Sequence, residues 1–246
     1  MKLLIDIGNT NTSIAVVRKE KILARYFIHT NKKEIREDSL KRLFGRYIPY
    51  IEKIIIVSVV PRFCSMFEKR LERLVAKALI CVVGRDKKVP VKVKYKKPRE
   101  VGQDRLVGAY AAFFLYQRSL VIIDFGTAVT FDYVNKKGEY EGGLIFPGLR
   151  LALGALIKNT ALLPEIEIKP VKGMIGKDTR SSMNKGLIFG YAAMCDGLVR
   201  YFKKEYGTGI KVVATGGDAQ MISGYSSCID EVCQDLVFKG LILLLR

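Results

Sequence analysis

The chain has 246 residues, 49% of them hydrophobic, with a mean hydropathy of +0.14; that is enough to bury a sizeable core and excludes a disordered or collagen-like chain. Lys and Arg number 42 against 24 Asp and Glu, and the formal net charge of +18 points to anionic partners such as phosphates, nucleic acid or a membrane surface. The single histidine, His29, excludes multi-histidine metal sites and turns the search for a base toward carboxylates.

At the N-terminus, Leu3-Leu4-Ile5 runs into Asp6-Ile7-Gly8-Asn9-Thr10-Asn11-Thr12, and apolar residues resume over 14–17, which reads as strand, tight turn, strand. Asp6 interrupts the apolar stretch that a secretory leader would carry. No later run approaches the ~18 residues of a membrane span, so a soluble cytoplasmic protein is expected. His29 falls on an early strand with no chemistry of its own. Residues 54–60 form a buried-type strand ending at Pro61. Phe63, Met66, Phe67, Leu71, Leu74, Val75 and Ala78 then recur near a 3.6-residue period, predicting a helix over 62–79. Residues 85–105, rich in Lys and Arg and holding Pro90 and Pro98, read as a surface connection.

The opening motif then returns. Ile122-Ile123-Asp124-Phe125-Gly126-Thr127-Ala128-Val129-Thr130 repeats the pattern D-x-G-x-x-x-T, with Asp124 118 residues after Asp6, close to half the chain. A helix over 179–205 follows, with Thr179 as a natural N-cap and with Gly186, Gly190 and Gly197 expected to mark close packing against the other half. The strand over 210–214 ends at Thr215-Gly216-Gly217, as the strand over 54–60 ends at Pro61, and residues 236–245 close the chain as a helix. The five cysteines contain no C-x-x-C pair and are expected to be reduced and to fill core space. The echo predicts an α/β protein of two similar halves, 1–117 and 118–246, each a mixed sheet flanked by helices.

An Asp at a strand end beside a glycine turn offers backbone N–H groups and hydroxyls to phosphate, and a carboxylate to a cation that screens it. Two such hairpins could clamp a polyphosphate. The chain has no G-x-x-x-x-G-K-[ST] loop and no G-x-G-x-x-G after a strand, so nucleotide binding has to rest on the hairpins and the Thr215-Gly216-Gly217 turn.

These residues resemble the superfamily of acetate and sugar kinases, heat-shock chaperone ATPases and actin, and within it the type III pantothenate kinases. The likeness is carried by Asp6-Ile7-Gly8-Asn9-Thr10, Ser58-Val59-Val60-Pro61, Tyr95, Pro98, Gly102-Gln103-Asp104-Arg105 and Asp124-Phe125-Gly126-Thr127. It continues through Gly142-Gly143-Leu144-Ile145 with Pro147-Gly148, Gly176-Lys177-Asp178-Thr179 and Ala214-Thr215-Gly216-Gly217. Lys97 before Pro98, and Gln103 inside its motif, depart from the family pattern. The resemblance implies two ribonuclease H-like (actin-like ATPase) halves around an interdomain nucleotide cleft, and phosphorylation of pantothenate by ATP with Mg²⁺. It implies ATP phosphates on Asp6, Ile7, Gly8, Asn9, Thr10, Asn11, Thr12, Ser13 and Thr127, and a monovalent cation, K⁺ or NH₄⁺, at Asp124. It makes Asp104 the proton acceptor and puts pantothenate against Tyr95, Gly102, Gln103, Asp104, Arg105 and Thr179.

The chemistry agrees with this assignment. Phosphoryl transfer needs alignment and charge stabilisation more than covalent chemistry, so one placed carboxylate suffices and histidine is unnecessary. A guanidinium at Arg105 suits a substrate carboxylate. A homodimer with its pocket near the subunit interface is also implied, with no membrane and no specific nucleic acid as partners. The competing reading is a transcription accessory factor, similar to the Bvg accessory factors, that binds nucleic acid through its basic surface. No helix-turn-helix, zinc or RNP pattern supports it.

Overall fold

Leu3, Leu4, Ile5 and Ile7 are all fully buried in the first strand, as a strand covered on both faces requires. The computed structural model describes residues 1–30 and 37–246. In chain order its elements are β1 (Lys2–Ile7), β2 (Asn11–Arg18), β3 (Lys21–His29), α1 (Glu37–Phe44), β4 (Lys53–Ser58), α2 (Pro61–Leu74), β5 (Leu79–Val82) and α3 (Gln103–Tyr116). There follow β6 (Leu120–Phe125), β7 (Ala128–Val134), β8 (Tyr140–Pro147), α4 (Leu149–Lys158), α5 (Thr179–Tyr206), β9 (Lys211–Gly216), α6 (Ala219–Ser223), β10 (Glu231–Val232) and α7 (Leu236–Leu244). The chain divides into two units, one of Met1–Val91, Tyr95–Ala111 and Leu236–Arg246, the other of Lys92–Lys94 and Ala112–Asp235.

The first unit holds a five-stranded sheet in the order β3-β2-β1-β4-β5, with β1 antiparallel to β2 and parallel to β4. Alternation along β1 sends Leu3, Ile5 and Ile7 to the face where Phe44 of α1 and Phe63, Phe67 and Leu71 of α2 pack. Leu4 faces the other way, into a cluster with Ile55, Val57, Val107 of α3 and Leu241 of α7. At Gly240 an added Cβ would run into the backbone and side chain of Val107, so α7 approaches α3 as closely as only glycine permits.

The second unit repeats the plan in the order β10-β9-β6-β7-β8, with β6 antiparallel to β7 and parallel to β9. Val121, Ile123, Phe131 and Tyr133 pack against Ile188, Ala192, Cys195 and Val199 of α5. The two sheets therefore have the same topology, and the two D-x-G turns occupy the same place in it, between the first strand of each sheet and its antiparallel neighbour.

Three local expectations need correction. The helix starting near residue 62 ends at Leu74, because Val75 to Ala78 form a turn and Leu79 enters the sheet as β5, paired with Lys53. The N-cap of α5 is Asp178, and Thr179 is the first helical residue. Ser181 donates its N–H to Asp178 Oδ1 at 2.8 Å, while the Asp178 N–H reaches Ser181 Oγ at 3.2 Å. Beside Gly186, Gly190 and Gly197 an added Cβ would meet nothing within 4 Å among the described residues, so none of those packs closely against these glycines. All five cysteines are free, and burial pushes the Cys195 thiol up to about 12, which makes it an inert core residue.

Candidate active site

In the first unit the turn after β1 is closed by the Gly8 N–H, which donates to the Asn11 carbonyl at 3.0 Å. Asn9, Thr10 and Asn11 are exposed at its tip, whereas Ile7 and Thr12 are buried and can offer a ligand only their backbone. Thr30 fixes the turn from outside. Its hydroxyl donates to the Gly8 carbonyl at 2.8 Å and lies 3.0 Å from the Thr12 hydroxyl, while its N–H donates to the Thr10 carbonyl at 2.8 Å. The ends of β1 and β4 are joined by the Val59 N–H, which donates to the Ile7 carbonyl at 3.1 Å.

Val59 also lies against the start of α3. A Cβ added at Gly102 would collide with Asp104 Oδ1 and come within 3.6 Å of Val59 Cγ1, so the Asp104 carboxylate folds back over a glycine into a space no other residue leaves free. Asp104 Oδ1 accepts the Arg105 N–H at 2.8 Å. The Gln103 side chain rests on Gly84, which has φ +87° and where an added Cβ would lie 2.8 Å from Gln103 Cδ. The first unit thus gathers Asp6 to Ser13 and Gly102 to Arg105 around the ends of β1 and β4. Tyr95 belongs to the same unit and sits in a bend rather than a strand, just after the point where Val93 bridges to Tyr140. That bridge is secured by Glu139, which holds Lys92 at 2.8 Å and Lys94 at 3.6 Å; hydrogen bonding to Lys92 pulls its carboxyl down to about 2.

In the second unit the turn after β6 is closed by the Gly126 N–H, which donates to the Ala128 carbonyl at 3.1 Å, and it leaves Thr127 exposed. Asp124 points at the end of β9: Gly216 has φ +92°, and a Cβ there would strike both Asp124 Oδ1 and the Phe125 carbonyl. Gly148, before α4, donates its N–H to the Thr127 carbonyl at 2.9 Å, and it too has no room for a side chain. Thr179 is exposed in this unit, on the first turn of α5. Among the described residues, no group of three or more His, Cys, Asp or Glu side chains could hold a metal ion together. No helix among them is long and apolar enough to cross a membrane.

The family model for type III pantothenate kinase matches residues 2–201. This chain belongs to the type III pantothenate kinase family. The kinase is 40% identical over 253 aligned positions to the type III pantothenate kinase of Syntrophotalea carbinolica, covering 100% of this chain and 99% of that one. It is 40% identical over 247 positions to that of Citrifermentans bemidjiense, covering 98% and 97%.

Solved structures similar to the kinase show the fold alone. One is a Campylobacter jejuni protein assigned to the Baf family of transcriptional activators (TM-score 0.60, 16% identity, 99% and 96% covered). Another is component A of Acidaminococcus fermentans (R)-2-hydroxyglutaryl-CoA dehydratase (TM-score 0.54, 13% identity, 97% and 93% covered). The kinase has the two similar mixed sheets expected from its repeat and the actin-like fold that the resemblance implied. Sequence reasoning missed Thr30, Val59 and Gly84 as supports of the site, and only Val59, within Ser58-Val59-Val60-Pro61, carried any signal.

Proposed function

We propose that this kinase transfers the γ-phosphoryl group of ATP to the primary hydroxyl of pantothenate, giving ADP and 4'-phosphopantothenate, the first step of coenzyme A synthesis. The observation that carries the reading is Asp104, a carboxylate pinned at the start of α3 in the same unit as the first phosphate hairpin and next to Arg105. Asp104 accepts the hydroxyl proton as the oxygen attacks phosphorus, and the bridging oxygen leaves with ADP. The Arg105 guanidinium takes the pantothenate carboxylate, with Tyr95, Gly102, Gln103 and Thr179 completing its pocket. Asp6 to Ser13 and Thr127 hold the phosphates through backbone N–H groups and hydroxyls.

Mg²⁺ on the nucleotide and K⁺ or NH₄⁺ at Asp124 fit the oxygen donors present and the glycine cradle at Gly216 over the Asp124 carboxylate. Their part is to screen phosphate charge. The working form in this reading is a cytoplasmic homodimer, and nucleic acid is no partner. One experiment tests the reading: ADP release with and without pantothenate, in potassium and in sodium salts, on protein whose mass is set by sedimentation. The expected result is pantothenate-dependent turnover by a dimer, faster in potassium. No turnover would overturn the reading. Equal rates in both salts would remove the cation from Asp124, and an active monomer would remove the dimer.

A further inference from the structure

We propose that Arg150 is a nucleotide-binding residue of this kinase, contacting the α- and β-phosphates of ATP, with Asp218 as the anchor that aims it. The inference rests on the kinase reading above and adds a residue that no motif of the sequence singled out. Three segments of the second unit meet at the start of α4. Gly148, two residues earlier, is hydrogen-bonded to the Thr127 carbonyl at 2.9 Å, so the first turn of α4 is seated on the phosphate hairpin itself. Arg150 Nη2 donates to Asp218 Oδ1 at 3.1 Å. Asp218 directly follows Thr215-Gly216-Gly217, and its N–H lies 3.5 Å from the Phe125 carbonyl. Beside Gly217 an added Cβ would meet nothing within 4 Å, so the surface of that turn is open to a ligand.

The pair is asymmetric, as Lys92–Glu139 also is, but it sits between the α4 start and the Thr215-Gly216-Gly217 turn. The Asp218 side chain is 11% exposed and the Arg150 side chain 76% exposed. A buried carboxylate fixed by its turn can hold one guanidinium nitrogen while the rest of the fork stays presented to solvent, where a planar five-donor cation suits phosphate oxygens. A solvent-exposed pair with no such ligand would contribute almost nothing measurable. Tethering to Asp218 holds the charge beside the Thr215-Gly216-Gly217 turn and away from the hairpin tip at Thr127, which on this proposal directs it to the inner phosphates rather than the transferred one. The same contact should therefore be made to ADP as to ATP.

The test is titration of ADP and of adenosine into the folded kinase and its variants by calorimetry at fixed ionic strength. Arg150→Gln should weaken ADP about tenfold and leave adenosine unchanged, Arg150→Lys should fall between, and Asp218→Asn should lose about threefold by releasing the fork. Adding Asp218→Asn to Arg150→Gln should cost nothing further, because the anchor acts only through the arginine. Equal ADP affinity in wild type and Arg150→Gln, or a matching loss of adenosine affinity, would overturn the role of Arg150 and leave the kinase reading standing. No ADP binding by the wild type would overturn both. Arg150 is largely exposed, so its variants are expected to fold; melting curves matching wild type confirm that a loss is one of contact.

Discussion

Asp104 is held in its turn by a bond that does not depend on its charge. Asp104 Oδ1 accepts the Arg105 N–H at 2.8 Å, and an amide oxygen can accept it as well. Asp104→Asn therefore keeps the Arg105 N–H bond while removing the group proposed to take the hydroxyl proton. Pantothenate-dependent ADP release should fall by about 10²-fold or more, with ADP binding and melting temperature unchanged. Near-wild-type turnover in that variant would take Asp104 out of the reaction. The same reasoning separates residues that the sequence lists side by side. Asn9, Thr10 and Asn11 present side chains at the first hairpin, whereas Ile7 and Thr12 hold the hairpin to the core, so truncating the latter pair acts on stability before it acts on nucleotide binding.

Glycine has opposite meanings in two helices. In α7, Gly240 lies against Val107, and a methyl group there must push α7 off α3. In α5, Gly190 is exposed with open space beside it, so its cost is only the extra freedom of the unfolded chain. Gly240→Ala should then lower unfolding free energy by about 1–3 kcal/mol, and Gly190→Ala should raise it by about 0.5–1 kcal/mol. Urea melts check both, and shifts of the same sign would contradict the packing described. This contrast also marks what the sequence could carry. Hairpins set by an Asp, a glycine and alternating apolar residues were legible because their causes lie within a few residues, and so was the shared topology of the two sheets. The apolar period of α2 runs on past Leu74, but pairing with Lys53 takes Leu79 into the sheet, and no local pattern announces that. Thr30 closing on Gly8 and Gln103 resting on Gly84 are likewise contacts between distant segments, readable only once the fold has brought them together.

The net charge of +18 belongs to the molecule rather than to the basic run that first draws attention. Much of that run is spoken for: Arg85 is hydrogen-bonded to Glu68 at 2.8 Å and to Asp86 at 2.9 Å, Lys92 and Lys94 share Glu139, and Lys97 lies 3.0 Å from Glu100. Lys87, Lys88, Lys96 and Arg99 of the same run are exposed and add to the surface charge. The excess acts as a summed field, and under the proposed reaction both substrates entering it are anions. Such a field raises capture rates and is screened over a Debye length of about 10 Å at 0.1 M ionic strength. It does not alter the chemical step once both substrates are bound. Raising ionic strength from about 0.05 to about 0.5 M at constant potassium should thus lower kcat/KM for ATP and for pantothenate by about three- to tenfold while kcat stays within about twofold. The two effects are separable in one series of initial-rate measurements. If kcat/KM were flat across that range, the charge would have no part in substrate capture. A parallel fall in kcat would instead mean that salt acts at the bound complex, at the proposed phosphate hairpins or cation site, and not on the approach to it.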